Sequence, residues 1–284
     1  MAEFQPSGVI TLTTDFGLAD PFVGVMKGCI LSRFPAARIV DLTHEVPAHR
    51  PGVAGFWLSR CFEYFPSGTV HVAVVDPGVG TDRGILCMAA RGHLLLAPDN
   101  GLLTLCHARH PRAEVVRLAA PRLAELGIHR VSSTFHGRDI FAPVAADLAA
   151  GRYLPATLGV RVQSLASAVT PASADDSELG SRPGAVNGSV VTVDHFGNLI
   201  TDIDAAQLHS FENPRVHIAG KTLRLRRTYG DVRPGELLAL INSFEVLEIA
   251  QAEGNAAAAL AVGPEARVTV DEGAEHLLGG ANPL

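Results

Sequence analysis

What the chain is short of narrows its class first. Lysine and arginine total 23 against 29 acidic residues, a formal charge of −6, so the basic face that nucleic-acid binding requires is missing. No run of about 18 apolar residues is present to cross a bilayer. The four cysteines, Cys29, Cys61, Cys87 and Cys106, include no Cys-x-x-Cys pair, and each sits in an apolar stretch; buried free thiols are expected. The opening residues, Met1 to Pro6, lack a basic stretch followed by an apolar one. A soluble, cytoplasmic protein is expected, with neither nucleic acid nor membrane as partner. Histidine is plentiful at 12 residues. Yet His44 with Glu45, His107 with His110, and His129 with His136 lack metalloenzyme spacing, and no metal site is expected.

What is present is a large apolar fraction, 47% of 284 residues against 18% charged, enough for a substantial core. From Gly8 to about Arg152, β-branched runs alternate with helical patterns. Val9 to Thr13, Arg38 to Leu42 and Thr69 to Val75 read as strands; Phe22 to Phe34 and Gly52 to Tyr64 read as helices. Leu86 to Ala90 and His93 to Ala97 read as a strand pair joined at Arg91-Gly92. This is an α/β pattern with a mostly parallel sheet. A Ser-, Ala-, Asp- and Pro-rich stretch from about 164 to 183 reads as a linker. Beyond it lie short β-rich runs: 188–193, 199–202, 215–218, 222–226, 237–241 and 266–270. They predict a smaller all-β domain, a barrel or sandwich. The expected division is 1–180, linker included, and 181–284.

Ligands of open α/β sheets sit beyond the carboxyl ends of the strands. Three polar clusters fall there: Asp15, then Asp76-Pro77-Gly78-Val79-Gly80 with Arg83, then Pro98-Asp99-Asn100-Gly101. Each taken singly is also ordinary turn or capping chemistry; their shared placement points to a site. Ser132 to Asp139 packs charges, a histidine and a glycine ahead of an apolar helix. In the second half, Asp194, Phe196 and Asn198 interrupt a β-rich region with groups suited to a purine or ribose. Asn242, Ser243, Glu248, Gly254 and Asn255 make a further polar island.

In this order the clusters resemble the S-adenosyl-L-methionine hydrolase family, the SAM hydroxide adenosyltransferases, relatives of the fluorinases and chlorinases. The matching residues are Thr13 to Gly17 with Asp20, Val23, Gly24, Lys27 and Gly28; Asp76 to Gly80 with Arg83; Pro98 to Gly101; Thr134 to Asp139; Asp194 with Phe196 to Asn198; and Ser243 through Asn255. The resemblance implies a homotrimer whose active sites lie between one subunit's N-terminal domain and a neighbour's C-terminal domain. It implies Asp76, Arg83 and His136 as the catalytic set and Asp15 as the ribose ligand. It places the adenine end on Asp194, Phe196 and Asn198, and on Ser243 with its neighbours, Glu248 among them. Where halogenases resemble Phe-Tyr-Ser, with serine holding halide, this chain has Phe135-His136-Gly137. The extra fluorinase loop is also missing between Leu105 and Val131. Both departures favour water as nucleophile.

The implied reaction is hydrolysis to adenosine and L-methionine. A sulfonium is already a good leaving group, so no cofactor is expected; the enzyme must place water in line with C5′ and sulfur. Water has a pKa of about 15.7. Asp76 or His136 would take its proton, and Arg83 would stabilise developing hydroxide. The alternatives are a non-catalytic protein that binds or senses adenosine or S-adenosyl-L-methionine, and a halogenase using the same substrate.

Overall fold

The computed structural model describes residues 4–166 and 184–273. The chain divides into two compact units, Met1–Ala174 and Asp175–Leu284. The boundary expected near residue 180 lies outside the described residues, as does most of the expected linker.

In the first unit the β-branched run Val9–Thr14 forms β1, buried along its whole length. The parallel neighbours of β1 are β2 (Arg38–Thr43) and β3 (Val70–Val74). The strand pair is a hairpin, β4 (Ile85–Ala90) with β5 (His93–Pro98), and β5 runs parallel to β3. Two strands that no period in the sequence marked complete the sheet, β6 (Glu114–Leu118) and β7 (Gly159–Arg161). The order is β2-β1-β3-β5-β4-β6-β7, with β4 and β7 running against the other five. Near-continuous apolar strands require cover on both faces. One face carries α1 (Phe22–Arg33) and α5 (Ala142–Ala149), every residue of α5 being buried. The other carries α2 (Pro51–Cys61) and α3 (Thr104–Arg109). The helix expected as far as Tyr64 ends at Cys61 and tightens into a 3₁₀ turn, Phe62–Tyr64. A short α4 (Ala120–Glu125) follows β6.

The second unit is a closed barrel of β8 (Val186–Val193), β9 (Leu199–Asp204), β10 (Pro214–Ile218), β11 (Lys221–Arg226), β12 (Leu237–Ile241), β13 (Val246–Gln251) and β14 (Arg267–Glu272), ordered β10-β11-β12-β13-β9-β8-β14. Its core is Val190, Leu199, Val216, Leu247, Ile249 and Val270 with their neighbours. A short helix, α6 (Ala256–Leu260), is capped by the Asn255 side chain. Among the described residues no helix is long and apolar enough to cross a membrane.

At the amino end of the sheet, away from the strand ends that carry Asp15 and Asp76, a polar chain is buried. Thr11 Oγ1 lies 2.8 Å from His71 Nδ1, and His71 Nε2 lies 3.2 Å from His93 Nδ1. Burial, then the neighbouring His93, pushes the His71 imidazole down to about 3. The unfolded chain protonates this histidine below about pH 6.5 while the folded chain does not, so stability falls as pH falls from about 6.5 towards 3. At pH 5 the loss from this group is about 2 kcal/mol, equivalent to a Tm lower by about 4–8 °C than at pH 7 for a unit of this size. His71→Gln is expected to flatten that dependence. A wild-type Tm constant between pH 7 and 5 would contradict the assignment.

Candidate active site

Parallel pairing sets Thr14 beside Val74, so the residues that follow β1 and β3 leave the sheet side by side. Asp15 and Asp76 therefore meet at one cavity of about 290 Å³, whose wall also includes Phe16, Phe22, His49 and His136. The Asp15 carboxylate accepts the backbone N–H of His49 at 3.0 Å through Oδ2. Behind it, Thr14 Oγ1 lies 2.8 Å from His44 Nδ1, and His44 Nε2 lies 3.0 Å from Asp41, which also takes Lys27 at 2.6 Å. Three phenylalanines, Phe16, Phe22 and Phe135, meet edge to face with centroids 5.3–5.9 Å apart and form an apolar wall.

Arg83 stands between Asp76 and His136. Its Nε donates to both carboxylate oxygens of Asp76 at 2.9 Å, and Nη2 donates to Oδ2 as well. The same Nη2 reaches His136 Nδ1 at 2.7 Å. Both members of the ion pair are buried, with side chains 9% and 5% exposed. The loop that brings them together turns at Gly80, with φ of +79°, and a Cβ there would lie 2.2 Å from the carbonyl of Ser133. Only glycine lets the Asp76–Arg83 loop pass this close to the segment carrying His136.

A guanidinium only donates, so His136 Nδ1 is an acceptor. The neutral ring then carries its proton on Nε2. Burial and the adjacent Arg83 charge lower the imidazole's affinity for a second proton, with Asp76 and Asp139 opposing them. The ring is held neutral at neutral pH, with its proton on Nε2.

His136 precedes a π-turn, Gly137–Phe141, in which Ala142 N–H returns to the Gly137 carbonyl. Such an inserted residue re-aims the side chains at a helix start. A Cβ on Gly137 would stand 3.1 Å from Met26 Sδ and 3.1 Å from Phe135 Cε2, so a serine here has little room.

The third strand-end cluster is not part of the cavity. Asp99 pairs with Arg117 at 2.6 Å and accepts Ala166 N–H at 2.8 Å, while Asn100 Nδ2 donates to the Val75 carbonyl at 2.9 Å. These bonds fasten β6 and the end of β3.

In the barrel unit, Asp194 shapes a turn. Its Oδ1 accepts the N–H groups of Phe196 at 2.9 Å and Asn198 at 2.8 Å, and Oδ2 accepts Asn198 Nδ2 at 3.0 Å. The turn leaves Phe196 72% exposed and Asn198 buried. Glu248, 3% exposed on β13, accepts Tyr229 O–H at 2.6 Å and Asn242 Nδ2 at 3.2 Å. Burial, assisted by the charge of Asp194, pushes its carboxyl up against those two donors. Asn242 Oδ1 accepts Phe244 N–H at 2.9 Å, fixing the turn on which Ser243 lies exposed. Asp194, Asn198, Asn242, Tyr229 and Glu248 thus belong to one polar region of the barrel.

Comparison with known proteins spans most of the chain. Residues 10–159 match the SAM hydroxide adenosyltransferase N-terminal domain, and residues 188–269 match the C-terminal domain of the same family. The chain belongs to the SAM hydroxide adenosyltransferase family. A protein named (R)-S-adenosyl-L-methionine hydrolase from Salinispora arenicola is 40% identical over 266 residues, covering 93% of this chain and 98% of that protein. A fluorinase from Nocardia brasiliensis is more distant, 27% identical over 253 residues, covering 81% and 80%. The crystal structure of an uncharacterized conserved protein from Thermotoga maritima superimposes with a TM-score of 0.79 at 34% identity, covering 92% of this chain and 99% of that one.

The sequence carried Phe16 inside the Thr13–Gly17 motif but did not single out Phe22, His49 or Tyr229. Phe16, Phe22 and His49 line the cavity, and Tyr229 reaches Glu248. Phe22 opens α1 on a face that the helix leaves exposed. His49 carries a positive φ, which only the structure shows. Among the described residues no group of three or more histidine, cysteine or acidic side chains is arranged to hold a metal.

Proposed function

We propose that the protein hydrolyses S-adenosyl-L-methionine to adenosine and L-methionine. The observation that carries this reading is the buried Asp76–Arg83–His136 chain on the wall of a cavity that also holds Asp15. Water attacks C5′ from the side opposite sulfur; the new C5′–O bond forms as C5′–S⁺ breaks, and the electron pair leaves with methionine as a neutral thioether. The departing group needs neither acid nor cofactor. The water proton passes to Asp76, because the Nδ1 acceptor of His136 is already filled by Arg83 and Nε2 already carries hydrogen. His136 Nε2–H orients the water, and Arg83 holds both partners and stabilises hydroxide character as it develops. Gly137, where the halogenases have serine, leaves no hydroxyl to hold halide.

Water labelled with oxygen-18 is expected to place its label on C5′ of the adenosine formed. Label in neither product, or a halogenated adenosine as main product, would defeat the reading. Asp15 accepts the ribose hydroxyls on this proposal, in the ground state and the transition state alike. Asp15→Ala is therefore expected to raise KM by about 10–100-fold with kcat within about threefold. Isothermal titration with adenosine gives the same ratio without turnover.

The barrel residues Asp194, Phe196, Asn198, Ser243 and Glu248 serve the adenine end on the same proposal. Phe196 offers its exposed face for stacking, Asn198 its amide, and Glu248 holds the Asn242 turn that presents Ser243. The working form is a homotrimer with sites shared between copies, in the cytoplasm, with a small molecule as its only partner besides itself. Light scattering that finds a fully active monomer would remove the trimer.

A further inference from the structure

Ser132 to Asp139 forms a knot beside the cavity, tied by a buried carboxylate. Asp139, with a side chain 8% exposed, accepts the backbone N–H of Ser132 at 2.7 Å. Ser132 Oγ in turn accepts Phe135 N–H at 3.1 Å, and the Phe135 carbonyl accepts Asp139 N–H at 3.1 Å. The two ends of the segment are thus fastened to each other, with Phe135 and His136 held between them. Arg138 grips the same carboxylate through Nε at 2.5 Å and Nη2 at 3.0 Å, and its guanidinium lies 5.4 Å over the Phe135 ring. Partial burial opposes the charge, yet Arg138 and Ser132 hold the Asp139 carboxyl down to about 2.

Nothing regular supports this segment from its amino side, since residues 127 to 135 form neither helix nor strand. On its other side the π-turn fixes Gly137 onward. The direction of the His136 ring therefore depends on how the Ser132–Phe135 stretch is held. We propose that Asp139 is a positioning residue: through Ser132 and Phe135 it sets the His136 ring so that Nδ1, and not Nε2, receives Arg83. The proposal rests on the hydrolysis reading for its kinetic consequence, though not for its structural one. Arg138 neutralises the clamp and lets it stay charged in a largely enclosed place.

The test uses the full-length enzyme with nitrogen-15 histidine, His136 being assigned by the resonance missing from His136→Gln. Wild type is expected to show His136 as the single Nε2–H tautomer. Asp139→Ala is expected to show mixed tautomers, with kcat lower by about 30-fold and KM within about threefold, the scale of a misplacement of under 1 Å. Asp139→Asn keeps one oxygen for Ser132 N–H and is expected to restore kcat to within about fivefold of wild type. Should Asp139→Ala not fold, Ser132→Ala removes the acceptor for Phe135 N–H and is expected to show the same mixing of tautomers. An unchanged tautomer and unchanged kcat in Asp139→Ala would overturn the proposal. So would a lowered Tm with an unchanged tautomer, which marks a purely structural tie. A wild type inactive on S-adenosyl-L-methionine whose tautomer still responds to Asp139→Ala would sink the hydrolysis reading and leave the positioning role standing.

Discussion

Arg83→Ala is expected to lower kcat by about 10³-fold while KM stays within about threefold, the scale at which preorganised charge acts on a developing oxyanion. The substitution removes both contacts at once. Asp76, with a side chain 5% exposed, loses the guanidinium from which its two carboxylate oxygens accept. Its carboxylate is then no longer held in place to accept the water proton. His136 loses the donor that fixes Nδ1 as acceptor, so its tautomer is released as well. Arg83→Lys separates the two contributions. It keeps the charge but loses the fork, and one ammonium replaces a group that spans carboxylate and imidazole together. A loss of about 10²-fold is expected for lysine, between alanine and wild type. Rates of adenosine formation at saturating substrate provide the check; an alanine variant within tenfold of wild type would show that this chain of residues is not the catalytic machinery.

The strand-end logic that located Asp15 and Asp76 was readable because parallel strands expose their carboxyl ends on one edge, whatever the rest of the fold does. The same logic overreached at Asp99 and Asn100. Their partners, Arg117 on β6 and the Val75 carbonyl, become available only once β6 lies against β4. Nor did the sequence mark β13, because Glu248 breaks its apolar run and made it look like a polar island. In the barrel that glutamate is buried and paired from two other loops, through Tyr229 and Asn242. Local pattern carries no information about such long-range pairing, which decides whether an acidic residue faces solvent or core. The helices were clearer. Phe22–Arg33 was found to within one residue of its expected end.

What residue types alone left open was which member of the catalytic set takes the proton. Arg83 and His136 are 53 residues apart in sequence, and the answer turns on which ring nitrogen faces the guanidinium. His136→Gln and His136→Asn test it. Glutamine places its amide nitrogen near the position of Nε2 and so retains a donor to water. Asparagine places its amide oxygen near Nδ1 and retains the acceptor for Arg83, but has nothing to offer the water. Neither takes up a proton. If His136 were the base, both would lose about 10²–10⁴-fold in kcat. With Asp76 as the base, His136→Gln is expected to keep kcat within about tenfold of wild type, the cost of a misaligned hydrogen bond. His136→Asn is expected to fall by about 10²-fold, because the water is no longer oriented. The pH profiles sharpen the distinction. Wild type loses activity below neutrality as His136 protonates and repels Arg83, at a pH below the ordinary histidine range because burial and Arg83 disfavour the charged ring. His136→Gln removes that group, so the acid limb it causes is expected to disappear from this pH range. A kcat down by more than 10²-fold in His136→Gln, with the acid limb lost together with the imidazole, would return the proton to the histidine.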